Sequence, residues 1–169
     1  MPKLSEKMTS ELNAQMGREL SASNQYLAIA IYLDSKSLSD LATFYYRQAE
    51  EERQHALKFM HYVLDADAVP VVAEVPKPKC DFESVEEIAE MSLSMEREVT
   101  ECIHGLVDTA MDERDHSTNR FLQWFVEEQI EEEATFNKLL DVTRQSTNLL
   151  LIDQYVSRFE PTGGPDEGA

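Results

Sequence analysis

The chain has 169 residues, enough for one domain with a buried core. Its formal net charge of −18 argues against nucleic acid or an anionic membrane as partner, because both would repel it. No run nears the roughly 18 apolar residues that a bilayer span needs. The start, Met1-Pro2-Lys3-Leu4-Ser5-Glu6, lacks the apolar stretch of a signal peptide, so the expected address is the cytoplasm.

With only 5 glycines and 6 prolines, and long stretches rich in Glu, Leu, Met and Ala, the chain reads as all-α. A first helix is predicted from about Ser5 to Leu33, with Leu12, Met16, Leu20, Leu27 and Ile31 at helical intervals. Asp34-Ser35-Lys36-Ser37 reads as a turn, with Ser37 or Ser39 to cap the next helix. The second helix, about Ser39 to Ala66, carries Leu41, Tyr45, Gln48, Glu52, His55, Phe59 and Tyr62 on one stripe.

Asp67 to Phe82 breaks the pattern with three prolines. A third helix follows from Ser84, where Ser84-Val85-Glu86-Glu87 resembles a capping box, to about Glu113. The fourth runs from about His116 to Gln145, and a short fifth from Thr147 to Phe159 carries Leu149, Leu150, Leu151, Ile152, Tyr155 and Val156. Residues 1–160 are read as one domain, and the tail from Pro161 to Ala169 as disordered. Cys80 and Cys102 have neither redox-pair nor zinc spacing and read as free thiols.

The connections set the topology. Short turns make helices one and two, and three and four, antiparallel hairpins. The 16 residues from Asp67 to Phe82 can reach roughly 53 Å, and the second helix is about 42 Å long. The link can therefore run the length of the molecule, as a four-helix bundle with one long crossover requires.

Glu52 and His55, at i and i+3, share a helix face and can ligate one metal ion or two adjacent ones. They lie on the apolar stripe, so they point into the core, where a charge is costly unless paired or metal-bound. Glu19 and Glu52 stand equally far from the first turn, and Glu96 and Glu132 equally far from the turn at Arg114-Asp115-His116. Antiparallel pairing sets all four carboxylates near mid-bundle, with one imidazole. Oxygen ligands with a single nitrogen suit iron or manganese and admit zinc. Gln129 shares the face of Glu132, and reads as a ligand neighbour or as a core amide. Tyr26, two turns beyond Glu19, is placed to donate a hydrogen bond or an electron, or simply to fill the core. Glu127-Glu128-Gln129-Ile130-Glu131-Glu132-Glu133 holds five carboxylates in seven residues, facing Glu50-Glu51-Glu52; a solvated acidic face and an extra cation site both fit.

Four stretches carry a family resemblance: Glu19-Leu20 with Tyr26; Glu51-Glu52-Arg53-Gln54-His55-Ala56; Met95-Glu96; and Asn119 to Glu133, where Phe121-Leu122-Gln123-Trp124 precedes the acidic run. Along about residues 4 to 159 the sequence resembles the non-haem ferritins of bacteria and archaea. The resemblance implies a di-iron ferroxidase centre. Glu19, Glu52 and His55 would hold one iron, with Glu52 bridging to a second completed by Glu96, Gln129 beside the pair, and Tyr26 next to it. It further implies a third iron site at Glu51, Glu128, Glu131 and Glu132. Oxygen or peroxide would be the oxidant, and ferric oxyhydroxide would be stored in a 24-subunit homo-oligomeric cage whose fifth helices meet at four-fold axes.

No haem is expected. The bacterioferritins are similar, but they carry a second E-x-x-H on the fourth helix, where this chain has Gln129-Ile130-Glu131-Glu132, and a haem-binding methionine, where it has Arg53. Two other readings stay open. One is a soluble di-iron oxidase or reductase component acting on an organic substrate. The other is a metal-free helical scaffold with hydrogen-bonded inward carboxylates.

Overall fold

The computed structural model describes residues 4–159, so the expected disordered tail lies outside the described residues. Ser5 accepts a hydrogen bond from the Met8 amide and starts α1, Glu6–Ser35. Next comes α2, Ser39–Asp65. Ser84 accepts from the Glu87 amide at the head of α3, Val85–Asp112, and Glu87 reaches back to the Glu83 amide at 2.6 Å, so the capping signal is real. Asp115 caps α4, His116–Gln145, and Asn148 caps the short α5, Leu149–Val156. α5 is narrower than its sequence limits because Asn148 takes the cap position and leaves Thr147 outside.

The first three helices end alike. Ser37, Asp67 and Arg114 take left-handed φ values of 60°, 58° and 56°, just beyond each helix. The following amides of Leu38, Ala68 and Asp115 bond back to Leu33, Val63 and Ala110. These are glycine-free versions of a common helix-ending turn. Neither Ser37 nor Ser39 caps α2; Leu38 occupies the cap position with no side-chain bond. The donor is met from far along the chain instead: the Leu41 amide bonds Asp153 Oδ1 of α5 at 2.8 Å.

α1 pairs with α2 and α3 with α4, as the short turns require. The crossover follows α1. Asn13 Oδ1 accepts from the Val71 amide at 2.9 Å, Gln25 exchanges two bonds with the Lys79 backbone, and Tyr32 donates to the Phe82 carbonyl. Gly17 makes room for it: a Cβ there would lie 3.3 Å from the Ala73 Cβ.

The second-helix stripe is buried throughout. The first-helix stripe needs correction: Leu12 and Met16 are buried, but Leu27 and Ile31 are 44% and 56% exposed. Tyr26, Ile29, Ala30 and Leu33 take the core face there. Two apolar clusters fill the bundle. One ends at Ala22, Ala49, Leu93 and Phe136, and the other begins at Met16, Ala56, Val99 and Phe125. The inward carboxylates occupy the layer between them. Among the described residues, no helix is long and apolar enough to cross a membrane.

Candidate metal centre

Each long helix delivers one carboxylate to this layer. Glu19, Glu52, Glu96 and Glu132 are all at most 1% exposed. His55 is buried beside them, its Nδ1 3.3 Å from Glu52 Oε2. Glu19, Glu52 and His55 form the one group of three acidic, His or Cys side chains, among the described residues, whose ligand atoms all lie within 4.8 Å of one another.

Three glutamines serve the carboxylates. Gln15 Nε2 donates to Glu19 Oε1 at 2.7 Å, Gln48 Nε2 to Glu132 Oε2 at 3.0 Å, and Gln129 Nε2 to Glu96 Oε2 at 3.2 Å. Tyr26, fully buried, donates its hydroxyl proton to Glu96 Oε1. Gln129 and Tyr26 therefore both stand on Glu96, within the carboxylate layer. The roles of Gln15 and Gln48 were not read from sequence, although each lies one turn before an inward glutamate.

Burial dominates the electrostatics. It raises the Glu19 carboxyl above its usual value, against hydrogen bonds from Glu52 and Gln15 and the charge of Arg18. It raises Glu52 further, helped by the charges of Glu96 and Glu19. Glu96 is pushed up to about 7 by burial, against its bonds from Tyr26 and Gln129. Burial, with the charge of Lys58, lowers His55 to about 4, so its imidazole is neutral at pH 7 and can act as a ligand. When both are ionised, Glu19 Oε2 and Glu52 Oε1 have no donor among the described residues. A shared proton or a cation must satisfy them. Two carboxylates and an imidazole, with a third and fourth carboxylate in the same layer, can hold divalent cations.

The residues read as a third iron site differ in burial. Glu128 is buried, Glu51 half-buried and Glu131 exposed. At the third turn, Asp115 is engaged in capping α4 and Glu113 accepts from the Ser5 hydroxyl at 2.9 Å. Cys80 and Cys102 are free thiols.

Residues 9–146 match the Ferritin family, described as a ferritin-like domain. The chain belongs to the ferritin family. It is 38% identical over 138 residues to a bacterial non-heme ferritin of Staphylococcus epidermidis, covering 82% of this chain and 83% of that one. Ferritin BfrB of Mycolicibacterium smegmatis is 40% identical over 159 residues, covering 92% and 86%. The open pore ferritin of the archaeon Archaeoglobus fulgidus superposes on this ferritin chain with a TM-score of 0.91. That pair is 34% identical, covering 95% of this chain and 100% of the archaeal one.

Proposed function

We propose that this ferritin chain stores iron, oxidising Fe²⁺ at a two-iron centre and holding ferric oxyhydroxide in a cytoplasmic shell of 24 copies. The observation that carries the reading is the buried Glu19–Glu52–His55 group, whose facing carboxyl oxygens, once both ionised, have no donor among the described residues and suit a cation. In this reading Glu19, Glu52 and His55 hold the first Fe²⁺, and Glu52 bridges to a second that Glu96 completes, with Gln129 beside it. Glu51, Glu128, Glu131 and Glu132 take a third ion.

Two Fe²⁺ give up two electrons. Oxygen takes them with two protons to give hydrogen peroxide, or peroxide takes them with two protons to give two waters. Anionic carboxylates favour this because their charge stabilises Fe³⁺ over Fe²⁺. With a third Fe²⁺ and Tyr26 each giving one further electron, four electrons and four protons take oxygen to two waters, the Tyr26 proton passing to Glu96. Exposed apolar side chains on two separate faces, Leu27 and Ile31 on α1 and Leu149, Leu150 and Leu151 on α5, support assembly with further copies.

The test is oxygen uptake after adding two Fe²⁺ per subunit to the metal-free protein. Rapid uptake that falls at least about tenfold in Glu52→Ala and His55→Ala is expected. Equal rates in the variants would refute the assignment.

A further inference from the structure

Gln15 is fully buried on α1, and its amide is fixed at both ends: Arg18 Nη1 donates to Oε1 at 3.1 Å, and Nε2 donates to Glu19 Oε1 at 2.7 Å. An amide has nearly the same shape when turned over, so only its partners decide which end faces which way. A guanidinium offers donors alone and so donates only to the carbonyl end. With the carbonyl held by Arg18, the N–H must face Glu19. Turned over, the amide would set a carbonyl oxygen against a carboxylate.

We infer that Arg18 fixes the Gln15 amide and, through it, Glu19, so that Arg18 and Gln15 are positioning residues for the metal centre. The inference rests on the proposed binding of a metal by Glu19, Glu52 and His55. Arg18 is exposed and lines the seam between α1 and α3 with Glu11, Cys102 and Gly105, so its charge is the smallest influence on Glu19 and its bond to Gln15 is its main link to the layer. Glu19 is also distinct among the inward carboxylates. Its amide donor comes from its own helix, whereas Glu96 and Glu132 are served from facing helices by Gln129 and Gln48. Holding Oε1 leaves Oε2 for the cation.

The test is calorimetric titration of the metal-free full chain with Co²⁺, which needs no oxidation chemistry, followed by the Co²⁺ absorption bands. Gln15→Leu and Arg18→Met should each weaken binding about tenfold or more and alter the bands. Arg18→Lys should restore most of the affinity. Because Arg18 is exposed, Arg18→Met should unfold at the same temperature as the unsubstituted chain. The double variant should bind no more weakly than Gln15→Leu alone, since without the amide Arg18 contributes only its charge, which opposes a bound cation. Unchanged affinity in Arg18→Met, or added weakening in the double variant, overturns the inference while leaving the metal centre intact. Failure of the unsubstituted chain to bind Co²⁺ overturns the metal centre and the inference with it.

Discussion

The Tyr26 hydroxyl donates to one oxygen of Glu96 across the α1–α3 interface, and Gln129 Nε2 meets the other oxygen at 3.2 Å. The phenol thus has a carboxylate to receive its proton on oxidation. Tyr45, its ring tilted against that of Tyr26 with centroids 5.7 Å apart, bonds the hydroxyl of Ser92, which itself donates to the Ile88 carbonyl. Tyr45 lacks such an acceptor. Tyr26→Phe should slow iron oxidation about tenfold. It should also abolish any tyrosyl radical signal in freeze-quenched samples studied by electron paramagnetic resonance. A radical that survives in this variant would place it elsewhere.

Glu52 has no amide donor among the described residues and lies against Glu19 with the charge of Glu96 nearby. In the metal-free chain this carboxyl is a burden. Glu52→Gln should stabilise the metal-free protein by about 1–2 kcal/mol, roughly 2–8 °C in unfolding temperature for a chain of this size. The same variant should lose the stabilisation that a divalent metal gives the unsubstituted protein. Thermal unfolding with and without Co²⁺ measures both.

The pH dependence has a definite sign. Folding raises the Glu96 carboxyl from 4.5 to about 7. Its contribution to stability is therefore full below about 4.5 and is lost as pH rises through 7. Glu19 and Glu52 are raised too and act in the same direction. His55, lowered to about 4, acts oppositely and loses its contribution as pH falls from 6.5 through that value. Denaturant unfolding of metal-free Glu96→Gln should show a shallower decline between about pH 5 and 8, differing at the upper end on the order of 3 kcal/mol. Metal binding should release protons and strengthen over the same interval.

Asp153 holds the head of α2 from α5. Asp153→Ala should cost about 0.5–2 kcal/mol, as loss of a helix cap does. It should also speed hydrogen exchange at the Leu41 amide and expose the connection before α5 to protease. Unchanged exchange at Leu41 would show that the bond is dispensable.

Much of this architecture could be read from the chain because α2 carries one uninterrupted stripe, with Glu52 and His55 on it. Equal spacing from two turns then put Glu19 and Glu96 at the same level. The first helix misled because it has apolar residues on two faces. Leu27 and Ile31 continue one run of spacings, while Tyr26 and Ile29, roughly a third to a half turn round the helix, hold the core. The α2 cap was invisible locally, since its partner lies more than a hundred residues later. The amide of Gln48 looked like an ordinary polar residue until folding brought Glu132 to it, whereas Gln15 meets Glu19 within its own helix. No local pattern announces a hydrogen bond made across a seam.

Aerobic iron loading decides whether this ferritin chain stores iron. Excess Fe²⁺ is added to the metal-free protein, and iron and protein are quantified across a size-exclusion column. Hundreds of iron atoms travelling with a particle the size of a 24-subunit shell are predicted. A few iron atoms per subunit on a small species would contradict storage and point to a soluble di-iron enzyme instead.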